Sequence, residues 1–101
     1  MTIRTTTSQD GNTITIRVKG RFDFNLVQDF RGAYQAQNKP NAAYIVDLAD
    51  TDYMDSAALG MLLHLWRFAG GEKSRIRVTN CRPGVRKIFE ITHFDKKIEV
   101  V

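Results

Sequence analysis

Residues 13–18 alternate, with Ile14, Ile16 and Val18 on one side and Thr13, Thr15 and Arg17 on the other. That period of two predicts a strand with one buried face. Ile3 to Thr7 reads as its antiparallel partner, because Asp10-Gly11 between the two tolerates the positive φ of a tight hairpin turn. After Gly20-Arg-Phe-Asp23 the period changes: Leu26, Val27, Phe30, Ala33, Tyr34 and Gln37 recur at spacings of three and four, the stripe of an amphipathic helix. Asn25 or Asp23 is positioned to cap it, and Pro40 ends it.

Ala43-Tyr-Ile-Val-Asp-Leu48 is nearly continuously apolar and β-branched, which predicts a central strand covered on both faces. Residues 50–55 then read as a loop, and Ser56 to Phe68 as a helix apolar on most sides, closed by Gly70-Gly71. Trp66 and Phe68 sit two positions apart and so diverge by about 200°; one should pack on the sheet while the other is partly exposed. Ile76 and Val78 alternate with Arg75, Arg77 and Thr79 as another strand. Pro83 suits the first turn of a third helix with Val85, Ile88 and Phe89 inside, and residues 98–101 form a short last strand.

The order β-β-α-β-α-β-α-β predicts one α/β domain over residues 1–101, with a mixed, mostly parallel central sheet of four to five strands and three to four helices. The N-terminal hairpin lies at its edge. In such a sheet the loop after the central strand stands at the carboxyl edge, where α/β proteins place their sites.

Composition adds bounds. A chain of 101 residues, 43% hydrophobic and 26% charged, is sized for a single core. The longest apolar region, residues 57–68, is interrupted by Gly60, His64 and Arg67, so no segment predicts a membrane span, and the N-terminus does not resemble a signal peptide. The single Cys81 predicts a reducing, cytoplasmic setting. The net charge of +4 raises nucleic acid as a partner, but Lys73, Arg75, Arg77, Arg82, Arg86 and Lys87 are interleaved with apolar or turn residues, as on solvated faces. Neither nucleic-acid binding nor membrane insertion is expected; an acidic protein partner fits better.

The chemistry concentrates in Asp50-Thr-Asp52-Tyr-Met-Asp55-Ser56. A serine hydrolase is excluded, since His64 lies about 12 Å along the helix from Ser56 and His93 stands near the far end of the chain. His64, His93 and Cys81 lack zinc-ligand spacing, and the three aspartates lack the glycine and glutamate of a calcium loop, so no metal or cofactor is expected. Asp55 or Ser56 can cap the helix, where an acid also complements the helix dipole. Ala57, Ala58 and Gly60 leave that helix start without bulk. They either open it to a visitor or let it pack tightly on its own sheet. Phosphate on Ser56 would add nearly two negative charges beside Asp52 and Asp55, changing surface potential more than local fold.

Val46-Asp-Leu-Ala-Asp-Thr-Asp-Tyr-Met-Asp-Ser-Ala-Ala-Leu-Gly60 resembles the signature of STAS domains, in particular the small bacterial anti-sigma factor antagonists. Gly20-Arg-Phe-Asp23 and Pro83-Gly-Val-Arg-Lys-Ile-Phe resemble the same family, so the likeness spans essentially the whole chain. It implies a non-enzymatic partner switch. Unphosphorylated protein would bind an anti-sigma factor, a serine kinase would phosphorylate Ser56 to end that binding, and a phosphatase would restore it. Asp23, Asp52, Tyr53, Met54, Asp55, Ala57, Ala58 and Gly60 would form the partner-binding surface. Ala57 and Ala58 depart from the family's serine and glycine, which removes an alternative acceptor and favours helix. The other expectation from the resemblance is a constitutive subunit of a lipid-transport ATPase or a sensory complex, with no serine switch.

Overall fold

The computed structural model describes residues 2–101. Strands β1 (Ile3–Thr7) and β2 (Thr13–Val18) form the expected hairpin, and Gly11 adopts φ 76° in its turn. β3 (Gly20–Phe22) leads through a tight turn, Phe24–Leu26, into helix α1 (Val27–Gln35). β4 (Ala43–Asp47), β5 (Thr51–Met54), helix α2 (Ser56–Phe68), β6 (Arg75–Thr79), helix α3 (Pro83–Ile91) and β7 (Glu99–Val100) complete the chain. Five strands form one sheet in the order β1-β2-β4-β6-β7, antiparallel at the hairpin and parallel elsewhere. The edge hairpin and the central position of β4 are as the sequence predicts.

One sheet face forms the core. Ile14, Ile16, Val18, Tyr44, Val46, Ile76 and Val78 alternate onto it, and all are buried. Against them pack Phe30 and Tyr34 of α1, Ala58, Met61, Leu62 and Leu65 of α2, and Val85 and Phe89 of α3. The α2 residues recur at spacings of three and four, so burying them is what holds a helix of 13 residues in place. Phe22, Phe30, Tyr34 and Phe68 continue as a chain of aromatic contacts with centroids 5.0 to 5.9 Å apart. Phe68 also meets Tyr44, whereas Trp66 lies partly exposed beneath the Lys97 ammonium, 4.3 Å from its ring. Gly70 at φ 113° and Gly71 at φ 63° take the left-handed conformations that end α2.

Two expectations need correction. Residues 51–54 are not loop: β5 pairs in parallel with β3 to make a separate two-stranded sheet. Each strand is too short for a period to show, and the pairing depends on residues about thirty positions apart. β4 is also not covered on both faces. Its second face, with Ala43 and Ile45, is only half-buried and continues across Thr13, Thr15 and Arg17 of β2 and Arg75, Arg77 and Thr79 of β6.

Candidate functional site

The carboxyl edge of the sheet is built by β3 and β5 together. Gly20 donates its N–H to the Asp50 carbonyl, and Asp55 donates to the Phe22 carbonyl, closing both ends of the small sheet. Thr51 is fully buried, and its hydroxyl donates to the Val18 carbonyl at 2.7 Å, tying β5 to the main sheet. The turn bearing Asp23 and the turn bearing Asp55 are thereby fixed side by side.

Each turn ends in an aspartate that caps the next helical segment. Asp23 accepts from Asn25 N–H at 3.0 Å and pairs with the Arg21 guanidinium at 3.3 Å. Asp55, extended at φ −114°, accepts from Ala57 and Ala58 N–H at 3.0 and 3.3 Å. The N-cap of α2 is therefore Asp55, which leaves Ser56 as the first helical residue, exposed, with no hydrogen bond from its hydroxyl among the described residues. Arg21 reaches over the Tyr53 ring at 3.9 Å, so one cation bridges the Asp23 turn to β5.

Around Ser56, Asp52 and Tyr53 are exposed, Asp55, Ala57 and Gly60 are half-buried, and Asp23 retains 7% exposure. A Cβ added at Gly60 would meet nothing within 4 Å. Ala57 and Gly60 instead line a groove of about 170 Å³ between α1 and α2, with Val27, Arg31 and His64 on its walls. Two residues expected at the surface are not there. Met54 is 4% exposed and Ala58 fully buried, because β5 turns Met54 inward and Ala58 lies on the core side of α2. The small side chain of Ala58 serves close packing rather than access.

Phe24 is the residue that the sequence pattern misses. It comes directly after Asp23 in the capping turn and is 66% exposed, while Tyr53 on β5 is 41% exposed. Its place outside the α1 stripe, which starts at Leu26, was the available signal. A second missed feature supports the edge from beneath. Asp47 ends β4 and is nearly buried, accepting from Ala49 N–H at 3.0 Å, Asn80 Nδ2 at 3.2 Å and Arg17 at 3.1 Å. Burial by itself would raise its carboxyl, but these donors outweigh burial and hold it below the ordinary aspartate value. The Cys81 thiol is raised by burial, only partly offset by Arg86. Among the described residues no group of three or more His, Cys, Asp or Glu is arranged to hold a metal, and no helix is long and apolar enough to cross a membrane.

This arrangement, a mostly parallel sheet with helices on one face and an exposed serine directly after a helix-capping aspartate at its carboxyl edge, defines a class. The chain matches the family model described as "Mlab, STAS domain" over residues 5–101 and belongs to the STAS-domain family. It is 46% identical over 100 residues to a STAS-domain containing protein of Pseudomonas aeruginosa (strain UCBPP-PA14), covering 99% of both chains. The fold is shared with a putative anti-sigma factor antagonist from Thermotoga maritima, at TM-score 0.82 and 14% identity, covering 97% of this chain and 84% of that one. It is shared also with the Bacillus cell fate determinant SpoIIAA in its phosphorylated form, at TM-score 0.72 and 21% identity, covering 98% and 90%. The single α/β domain with three helices and a mixed five-stranded sheet is thus the SpoIIAA-like fold.

Proposed function

We propose that the protein is a phosphorylation-controlled anti-sigma factor antagonist with Ser56 as its switch. Unmodified, it binds an anti-sigma factor; a serine kinase ends that binding by phosphorylating Ser56, and a phosphatase restores it. The observation that carries this reading is the division of labour at the start of α2, where Asp55 does the capping and the Ser56 hydroxyl stands exposed and uncommitted. Phosphorylation then adds nearly two negative charges at the first turn without removing a structural hydrogen bond. Asp52 and Asp55 already make the spot acidic, so the added charge acts on a partner by repulsion and not by refolding α2.

The partner contacts Phe24 and Tyr53 as apolar anchors, Asp23, Asp52 and Asp55 as the acidic surround, and the groove beside Ala57 and Gly60. The role is binding and not turnover, in keeping with a fold that is typically non-enzymatic. The test has two arms. Intact-mass analysis of protein from cells with and without phosphatase inhibition should show one added phosphate that maps to Ser56. Purified Ser56→Ala should retain an anti-sigma factor identified by mass spectrometry, and Ser56→Asp should release it. Equal retention by both variants within a larger assembly would instead favour a constitutive subunit.

A further inference from the structure

The groove between α1 and α2 has an apolar floor and a polar end. Buried Phe30, Tyr34 and Met61 make the floor. The groove begins at Val27 and Ala57, beside the turns capped by Asp23 and Asp55, and Arg31 and His64 stand one to two helical turns further along. No Asp or Glu lines it, and neither Arg31 nor His64 forms an ion pair among the described residues. Arg31 has the neutral Tyr34 hydroxyl as a neighbour, which leaves its charge uncompensated. The volume of about 170 Å³ decides what can enter. Sites for cofactors and drug-sized ligands run from about 300 to about 1,000 Å³, so this one suits a single large side chain.

We propose that the anti-sigma factor docks here with an amphipathic helix, which sets one aliphatic side chain into the groove and a carboxylate one turn further along against Arg31 and His64. The identity of this occupant rests on the switch reading above. Two packed helices offer a groove that a third helix fills with residues spaced three and four apart. The carboxylate accepts from the Arg31 guanidinium and from a His64 N–H, and such charge-assisted bonds fix which way the helix runs. The reverse direction brings acid to Asp52 and Asp55 and is disfavoured. Gly60 keeps the groove open. Its φ is not left-handed and a Cβ there would meet nothing within 4 Å, so neither the backbone nor the domain's own packing calls for glycine, which weakens a helix relative to alanine. A phosphate on Ser56, one turn before Gly60, repels the same carboxylate.

The probe is an acetylated, amidated helical peptide of about eighteen residues, built from alanine and glutamine with one central leucine and glutamates at the third and fourth positions after it. The comparison peptide has lysine in place of glutamate. Titrated into isotope-labelled protein and followed by NMR, the glutamate peptide should give saturable amide shifts at Arg31, Ala57 and Gly60. Gly60→Leu, which fills the groove with a helix-favouring side chain, should weaken binding about tenfold or more, and so should Arg31→Glu at its exposed position. Gly32→Leu, on α1 but outside the groove, should bind like the parent. Should Gly60→Leu not fold, Arg31→Glu decides. No anti-sigma factor, kinase or phosphate enters this titration, so it can fail while Ser56 proves to be a switch, and succeed while Ser56→Ala and Ser56→Asp hold the same partner. Absence of saturable shifts at the groove overturns the proposal, as does undiminished binding by Gly60→Leu or Arg31→Glu, equal loss in Gly32→Leu, or a lysine peptide that binds as tightly. A parent dimer that Gly60→Leu dissociates in sedimentation would give the groove to a second copy and overturn it too.

Discussion

Replacing Asp55 by alanine separates scaffold from switch at the start of α2. One carboxylate oxygen of Asp55 serves both Ala57 and Ala58 N–H, so the change strips Ala57 N–H of its partner and leaves Ala58 N–H only the Asp55 backbone carbonyl. Loss of such a cap costs about 1 kcal/mol, and loss of a negative charge at the positive end of the helix dipole adds about 0.5 kcal/mol. For a domain of this size the sum of about 1.5 kcal/mol lowers the melting temperature by roughly 6 to 10 °C. Ser56→Ala should behave differently, because the exposed hydroxyl bonds to nothing in the domain and alanine favours helix; its effect should stay within about 0.5 kcal/mol. Thermal unfolding tracked by circular dichroism, repeated in urea, measures both, and Asp55→Asn should recover most of the loss. Were Ser56→Ala to destabilise as much as Asp55→Ala, the capping assignment would be reversed and the serine would no longer be free to carry a phosphate.

Asp47→Ala should cost about 2 kcal/mol in urea unfolding, since it leaves Asn80, Arg17 and the Ala49 N–H without their common acceptor. Because the folded carboxyl is held below its ordinary value, its contribution is complete above about pH 4 and disappears as the pH drops through the lowered value. Asp47→Asn should accordingly flatten the acid limb of a stability-versus-pH curve. Leu62→Ala removes a fully buried side chain and should cost about 3 kcal/mol by the same denaturation measurement. Phe24→Ala should leave the melting temperature within about 2 °C of the parent while weakening the proposed anti-sigma factor complex about tenfold or more in calorimetry, as expected of an exposed aromatic anchor.

What the sequence makes legible here is what local periodicity carries. The hairpin around Asp10-Gly11 and the stripes of α1, α2 and α3 emerge from spacings of two or of three and four, and the central β4 from its nearly continuous apolar run. β3 and β5 do not, because three and four residues are too few for a period and their pairing joins distant parts of the chain. The position of the candidate site, at the edge after β4, is legible from the element order, but its inward and outward sides are not. Whether Met54 points in, or Phe24 out, depends on how the small sheet is hung from Val18 by Thr51. The arginines of the uncovered face are likewise dispersed in sequence, at positions 4, 17, 75 and 77, and only strand register gathers them.

The pairing of β3 with β5 has a consequence for how recognition is divided. Two turns that would otherwise wander separately are stitched into one platform, with Arg21 as a clasp across the seam. A partner of the kind proposed would meet a surface already in shape and would lose little entropy in arranging it. Side chains such as Phe24 and Tyr53 can then be exchanged to suit a new acquaintance while the frame beneath them stays as it was.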